Sequence, residues 1–186
     1  MSVKYKHSNA YSMYFCTFTC FNWLPLIDIT KGYDFVYNWF NILKDDKTDT
    51  VAYVIMPNHL HCILHFPAAD FDLNKIIGNA KRFMAYEIIE RLKEKKEKEI
   101  LELLSTSVTE REKKKGQLHK VFQDSFDAKP IFSDKFLLQK LDYIHHNPVT
   151  GKWQLAENFL DYTHSSASFY EDGVVKYFVP VHFRDL

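Results

Sequence analysis

The chain has 186 residues, of which 46% are hydrophobic and 16% aromatic, and its 24 Lys+Arg balance 24 Asp+Glu for a formal net charge of zero. This is the size of one ordinary domain spanning 1–186, large enough to build a core without staples. The balance of charge excludes a polybasic tail protein, and 5 Gly with 6 Pro exclude a collagenous or disordered chain, but a local basic patch would still suffice for nucleic-acid binding.

The chain opens MSVKYKHSNAYSMYF, without the continuous apolar stretch of a secretory signal. Residues 11–21, YSMYFCTFTCF, suit a buried strand that ends at Trp23-Leu24-Pro25. Residues 33–44 space their apolar groups at three and four, as an amphipathic helix does. Residues 51–56, VAYVIM, and 59–66, HLHCILHF, flank the turn pair Pro57-Asn58 and predict an antiparallel hairpin. Asp70 or Asp72 caps a predicted helix, LNKIIGNAKRFMAYEIIERLK. From Arg91 to Lys115 the composition turns to nine Lys/Arg and six Glu, which reads first as a solvated helical extension or loop. Residues 119–127 are expected to form the last strand. Ser133 caps a helix through FLLQKLDYIHH, which Pro148 ends near Asn147. The tail from 152 onward has no clear assignment.

The order strand, helix, strand, strand, helix, strand, helix predicts an α+β fold. It is a ferredoxin-like or RRM-like split βαββαβ antiparallel sheet with helices on one face and a C-terminal helix bearing Tyr143. The cysteines Cys16, Cys20 and Cys62 contain no C-x-x-C pair, which favours a reduced, cytoplasmic protein over a disulfide framework or zinc ribbon. No apolar run approaches the roughly 18–20 residues of a membrane span, so no membrane partner is expected.

Two patterns carry chemistry. His59 and His61 lie two apart on a predicted strand and therefore share a face, about 7 Å apart along it. They can converge on one divalent ion, or be two half-buried, hydrogen-bonded imidazoles. His65 lies further along that face, a candidate substrate contact. Tyr143 and Asn147 lie four apart on a predicted helix, so a phenol and a carboxamide point into the same space. His145 and His146 are expected at a solvated helix end. If the Tyr143 helix packs over the histidine-bearing face, two imidazoles and the Asn147 oxygen supply three ligands and leave open positions. Mg²⁺ prefers oxygen donors, whereas Mn²⁺ accepts imidazole more readily. A phenol is a weak nucleophile at neutral pH and needs such assistance to attack a phosphodiester.

The segment YVIMPNHLHCIL, 53–64, resembles the HUH motif of the single-tyrosine HUH transposases. YIHHNPVTGKW, 143–153, resembles the tyrosine motif of their REP-associated branch. TFTCFNWLPLI, NKIIGNAKRFMA and the C-terminal half through DYTHSSASFY extend the resemblance over most of 10–171. The resemblance implies a transposase and endonuclease that cleaves and rejoins single-stranded DNA, often beside a hairpin. His59 and His61 are then metal ligands, Asn147 the third polar ligand, and Tyr143 the nucleophile forming a 5′-phosphotyrosine. Mg²⁺ or Mn²⁺ is the implied cofactor. Lys75, Lys81 and Arg82 become candidate DNA-phosphate contacts, with solvated helix-surface charges as the ordinary alternative. Relatives imply either a homodimer that exchanges the tyrosine helix or a monomer. His164 stands where the family often has Trp, and 91–118 has no clear family counterpart. Two rivals remain: a non-catalytic single-stranded nucleic-acid-binding module that stacks bases on Tyr14, Phe15 and Phe18, and a metal-dependent hydrolase with a water nucleophile.

Overall fold

A computed structural model describes residues 10–186; the first nine residues of the segment read for a targeting signal lie outside the described residues. Four strands, β1 (Met13–Thr19), β2 (Asp49–Met56), β3 (His59–His65) and β4 (Asp127–Pro130), form one antiparallel sheet in the order β2-β3-β1-β4. Non-sequential neighbours of this kind are the product of two interleaved split βαβ units, as the element order predicts. The connecting helices are α1 (Leu26–Ile29), α2 (Tyr33–Asp45), α3 (Leu73–Glu94), α4 (Lys98–Thr106) and α5 (Glu110–Lys113), followed by α6 (Asp134–His146) and α7 (Ala167–Asp172). No helix among the described residues is long and apolar enough to cross a membrane.

The sheet is covered on both faces. Tyr14, Cys16 and Phe18 of β1 and Leu60, Cys62 and Leu64 of β3 alternate onto one face, where they share a core with Phe40 of α2 and Ile77, Met84 and Ile88 of α3. Phe15, Val54 and Ile63 take the opposite face and pack against Leu137, Leu141 and Ile144 of α6. A register shift in β2 between Thr50 and Ala52 lets Val51 and Val54 join this second core despite their odd spacing. The cysteines are free and buried.

Local chemistry accounts for the helix starts. The Asp72 carboxylate accepts from Lys75 N, and the Ser133 hydroxyl accepts from Phe136 N, each satisfying a donor the helix leaves open. The charged stretch is more than a solvated extension. It folds as α4 and α5, with Leu104 buried and Ile100 and Leu101 packed on the main core. Thr109 and Glu112 form a capping box, and Lys120 reaches Glu112 at 3.0 Å.

The predicted last strand at 119–127 falls elsewhere. Most of 119–126 runs irregularly past the end of β1, bonded through Phe21 N to Val121 O and Gln123 N to Thr19 O, and β4 begins only at Asp127. Pro130 can end β4 because β4 is the sheet edge and needs no donor toward solvent. At the other edge, the tail covers β2: Ile55 N bonds His164 O, Ser166 N bonds Tyr53 O, and Val54 bridges Ser165. The otherwise open row of β2 backbone groups is thereby paired.

Candidate active site

His59 and His61 both point to the face covered by α6, because they occupy alternate positions of β3. Their ring centroids are 4.7 Å apart, closer than the spacing along the strand requires. Each side chain is about 5% exposed. Tyr143 descends from α6, and its Oη lies 3.4 Å from His61 Nε2 while the residue stays 45% exposed. Phe15 orders this cluster by stacking on His61 at 5.4 Å and meeting Tyr143 edge-on at 5.9 Å. The sheet and the last long helix thus bring together the two motifs separated by about 80 residues.

Hydrogen bonds decide which His59 nitrogen is free and allow the same arrangement at His61. Asn58 Nδ2 donates to the Trp23 carbonyl at 2.8 Å, which leaves Asn58 Oδ1 facing His59 Nδ1 at 2.6 Å. A carboxamide oxygen only accepts, so His59 is protonated at Nδ1 and its lone pair sits at Nε2. Thr17, directly opposite His61 across the β1–β3 pair, places Oγ1 2.6 Å from His61 Nδ1. The hydroxyl can accept there as well, leaving His61 Nε2 with its lone pair toward Tyr143.

Burial keeps both rings neutral. It holds His59 down at about 4, helped by the nearby Lys152 charge and opposed by the Asn147 carboxamide beside the ring. Burial, with His59 and Lys140 as secondary causes, pushes His61 well below the usual imidazole range. Asn147, at the C-terminal end of α6, is buried, and its Oδ1 has no partner in hydrogen-bonding geometry. A buried acceptor left unsatisfied is costly and needs an explanation. Two neutral imidazoles and this oxygen fit the donor set of a divalent metal. Among the described residues no group of three or more His, Cys, Asp or Glu gathers, so the third donor would have to be the amide oxygen.

Two cations that the sequence patterns did not single out border the cluster. Lys140, one turn before Tyr143, holds Nζ 4.8 Å from the Phe15 ring centroid and 5.4 Å from that of Tyr143. Lys152 lies close enough to His59 to depress its basicity. Lys140 was legible as the i−3 neighbour of a helical Tyr; Lys152 sits in a loop and carried no periodic signal.

The other singled-out residues are dispersed. His65 is at the far end of β3, with Nδ1 3.0 Å from Asp49 Oδ2. His145 is buried rather than solvated, because its side of α6 faces the tail, and its Nε2 meets Ser166 Oγ at 3.1 Å. His146 is half-exposed beside Asp142 and rests on Phe159 at 4.2 Å. His164 stacks on Tyr33 at 3.6 Å and bonds Tyr37 Oη through Nδ1 at 3.0 Å, a packing residue away from the His pair. Lys75 and Arg82 line an open groove between α3 and the 109–121 segment, with Arg111 and Lys115. The buried side of α3 belongs to the core on the sheet face opposite His59 and His61. Lys81 is not a surface cation. It is 2% exposed, and its Nζ donates to the carbonyls of Gln123, Asp124 and Ser125 at 2.6, 3.3 and 3.4 Å. It clamps the loop that runs past β1 and is unavailable to phosphate. Tyr14 and Phe18 are buried in the α2/α3 core, and Phe15 under α6, so they offer no open base-stacking platform.

Fold and site together define an antiparallel ferredoxin-like domain in which a paired-histidine strand faces a tyrosine-bearing helix. Among solved structures, the chain is similar to a REP-associated tyrosine transposase bound to a REP hairpin, with TM-score 0.57 and 22% identity over 93% of this chain and 86% of that one. The chain therefore has the fold of a REP-associated tyrosine transposase. A crystal structure described as a candidate transposase from Deinococcus radiodurans R1 aligns over 77% of this chain and 94% of that one, at TM-score 0.45 and 13% identity. No protein-family model matches the chain, and no curated protein does.

Proposed function

We propose that this chain is a metal-dependent DNA strand transferase of the single-tyrosine HUH type. It would cleave and rejoin single-stranded DNA beside a hairpin like the one held by its structural neighbour. The observation that carries this reading is the convergence of Tyr143 Oη on His61 Nε2, with the unpartnered Asn147 oxygen beside His59. A base-binding module has no need of a tyrosine hydroxyl, two neutral imidazoles and a carboxamide oxygen gathered at one point.

In the proposed reaction Tyr143 Oη attacks the scissile phosphorus and forms a P–O bond. The P–O3′ bond breaks, the phenolic proton is released, and the departing 3′ oxygen takes a proton to become a hydroxyl. The phosphotyrosine keeps the phosphoester bond for rejoining, when a 3′-hydroxyl displaces Tyr143. His59, His61 and Asn147 would hold Mg²⁺ or Mn²⁺, which supplies polarisation and orientation of the scissile phosphate. Asn58 fixes the His59 ring with Nε2 as the available atom, and Thr17, accepting from Nδ1, would leave His61 Nε2 available in the same way. Lys140 adds positive charge beside the phenol as it becomes anionic. Lys75 and Arg82 remain proposed phosphate contacts, in the groove outside the reaction centre.

The test mixes the protein with a pool of single-stranded oligonucleotides and Mn²⁺ or Mg²⁺, then looks for an adduct that survives SDS. The expected adduct forms with wild type, disappears with chelator, and is absent from Tyr143→Phe. Cleavage retained in Tyr143→Phe would identify a hydrolase instead. Chelator-insensitive binding without cleavage would identify a binding module that keeps only the fold.

A further inference from the structure

The proposed reaction leaves one feature beside His59 unused. Asn22 and Trp23 both adopt the left-handed region, at φ 50° and 58°, which side chains other than glycine rarely occupy. Strain of this kind persists where surrounding contacts hold it and is concentrated at working sites. Here the Asn58 side chain holds it, through its bond to the Trp23 carbonyl. The result is an indole left 53% exposed, although burial of so large an apolar ring is the ordinary outcome. Trp23 lies 5.7 Å from His59, centroid to centroid, and Trp153, partly buried against the α6-side core, lies 6.3 Å from the same ring. Lys152 Nζ stands 6.0 Å from the Trp23 centroid and 5.4 Å from that of Trp153. The third tryptophan, Trp39, belongs to the core at 7% exposure.

Two indoles around one ammonium select a ligand chemistry. A cationic ligand is excluded, because Lys152 already occupies the attractive position over both rings. The complement is a flat aromatic group carrying a negative charge, which describes a nucleotide. We infer that Trp23, Trp153 and Lys152 form a nucleotide subsite beside His59: an unpaired base stacks on the exposed Trp23 indole against the edge that Trp153 supplies, and its phosphate lies on Lys152. The inference rests on the reading that the substrate is single-stranded DNA. A base inside a duplex is stacked on both faces by its neighbours and only the end pairs offer a face, so this subsite favours single strands. It would also fix the strand on the His59 side of the reaction centre, opposite the side from which Tyr143 meets His61.

The test reads tryptophan emission of the full chain in chelator, so that no cleavage occurs. Three probes of equal length are titrated: a single-stranded oligonucleotide, the same strand with abasic positions, and its blunt duplex. The single strand is expected to quench emission, and the other two are expected to quench far less at equal phosphate. Trp23→Ala and Trp153→Ala are each expected to weaken single-strand binding about 5- to 100-fold, with Trp23→Phe retaining most of it. Lys152→Ala is expected to lower the salt dependence of binding by about one phosphate contact, a slope change of about 0.7. Trp39, buried in the core, is the one tryptophan left in the double variant and its emission reports folding there, while far-ultraviolet circular dichroism reports folding of the single variants. Equal quenching by the abasic strand, or unchanged binding in the double Trp23→Ala/Trp153→Ala variant, overturns the subsite. Base-dependent quenching with no covalent adduct under metal would sustain the subsite while refuting the strand-transfer reaction.

Discussion

Thr17→Val removes one hydroxyl from the site and little else. Valine keeps the β-branched shape that suits β1, but it cannot accept from His61 Nδ1, now bonded at 2.6 Å. His61 is 5% exposed, so water cannot easily replace the lost partner. Leaving a buried donor unsatisfied costs about 1–3 kcal/mol. For a chain of this length that lowers Tm by about 2–4 °C for each kcal/mol. The ring is also freed to turn, and loss of a partner behind a metal-bound imidazole weakens metal binding about 10- to 100-fold. Titration calorimetry with Mn²⁺ and thermal melts with and without Mn²⁺ separate the two effects. Thr17→Ser, which keeps the hydroxyl, is expected to retain most of the affinity. If Thr17→Val binds Mn²⁺ as tightly as wild type while melting lower, the hydroxyl serves packing alone and the orientation argument fails.

Other perturbations probe independent parts of the structure. Asn147→Ala removes an oxygen that has no partner in hydrogen-bonding geometry and acts only on the neighbouring His59 ring, so stability is expected to change by less than about 1 kcal/mol while Mn²⁺ affinity falls at least about tenfold; a loss of stability without loss of affinity would contradict the assignment. Lys81→Met preserves length and apolar stem but strands three carbonyls, and is expected to cost about 2–4 kcal/mol in denaturant unfolding, with single-strand affinity altered only through stability. His59 carries a folded pKa held to about 4, below the ordinary value of 6.5, so unfolding takes up protons between the two. Its contribution to stability is complete above about pH 6.5 and is lost as pH falls through about 4, by up to about 3 kcal/mol at the acid end. His145, also held to about 4 by burial, acts in the same direction. Urea midpoints that stay flat from pH 7 to pH 4 would refute the burial of neutral imidazoles.

Local rules account for the elements that follow repeating or capping patterns. The 3.6-residue spacing of 33–44, the caps Asp72 and Ser133, and the His59/His61 alternation each depend on neighbours within a few positions, and all three survive folding. The strand expected at 119–127 did not, because pairing with β1 selects 127–130 and the earlier segment is held by Lys81 from α3. Lys81 itself looked like its neighbours Lys75 and Arg82, since a helix gives no local sign of which charge it will bury. The charged run through 115 likewise hid Leu104, whose burial needs the surface of another element.

The sequence by itself determined the βαββαβ order, the common face of His59 and His61, and the one-turn separation of Tyr143 and Asn147, because each is a matter of backbone period. Only the tertiary structure decided that α6 lies over the histidine face and not beside α3. Only it placed Thr17 behind His61, Asn58 between Trp23 and His59, and Lys140 and Lys152 at the rim. Those relations join residues distant in the chain, and they are set by which apolar faces find each other when the sheet closes between its two helical layers.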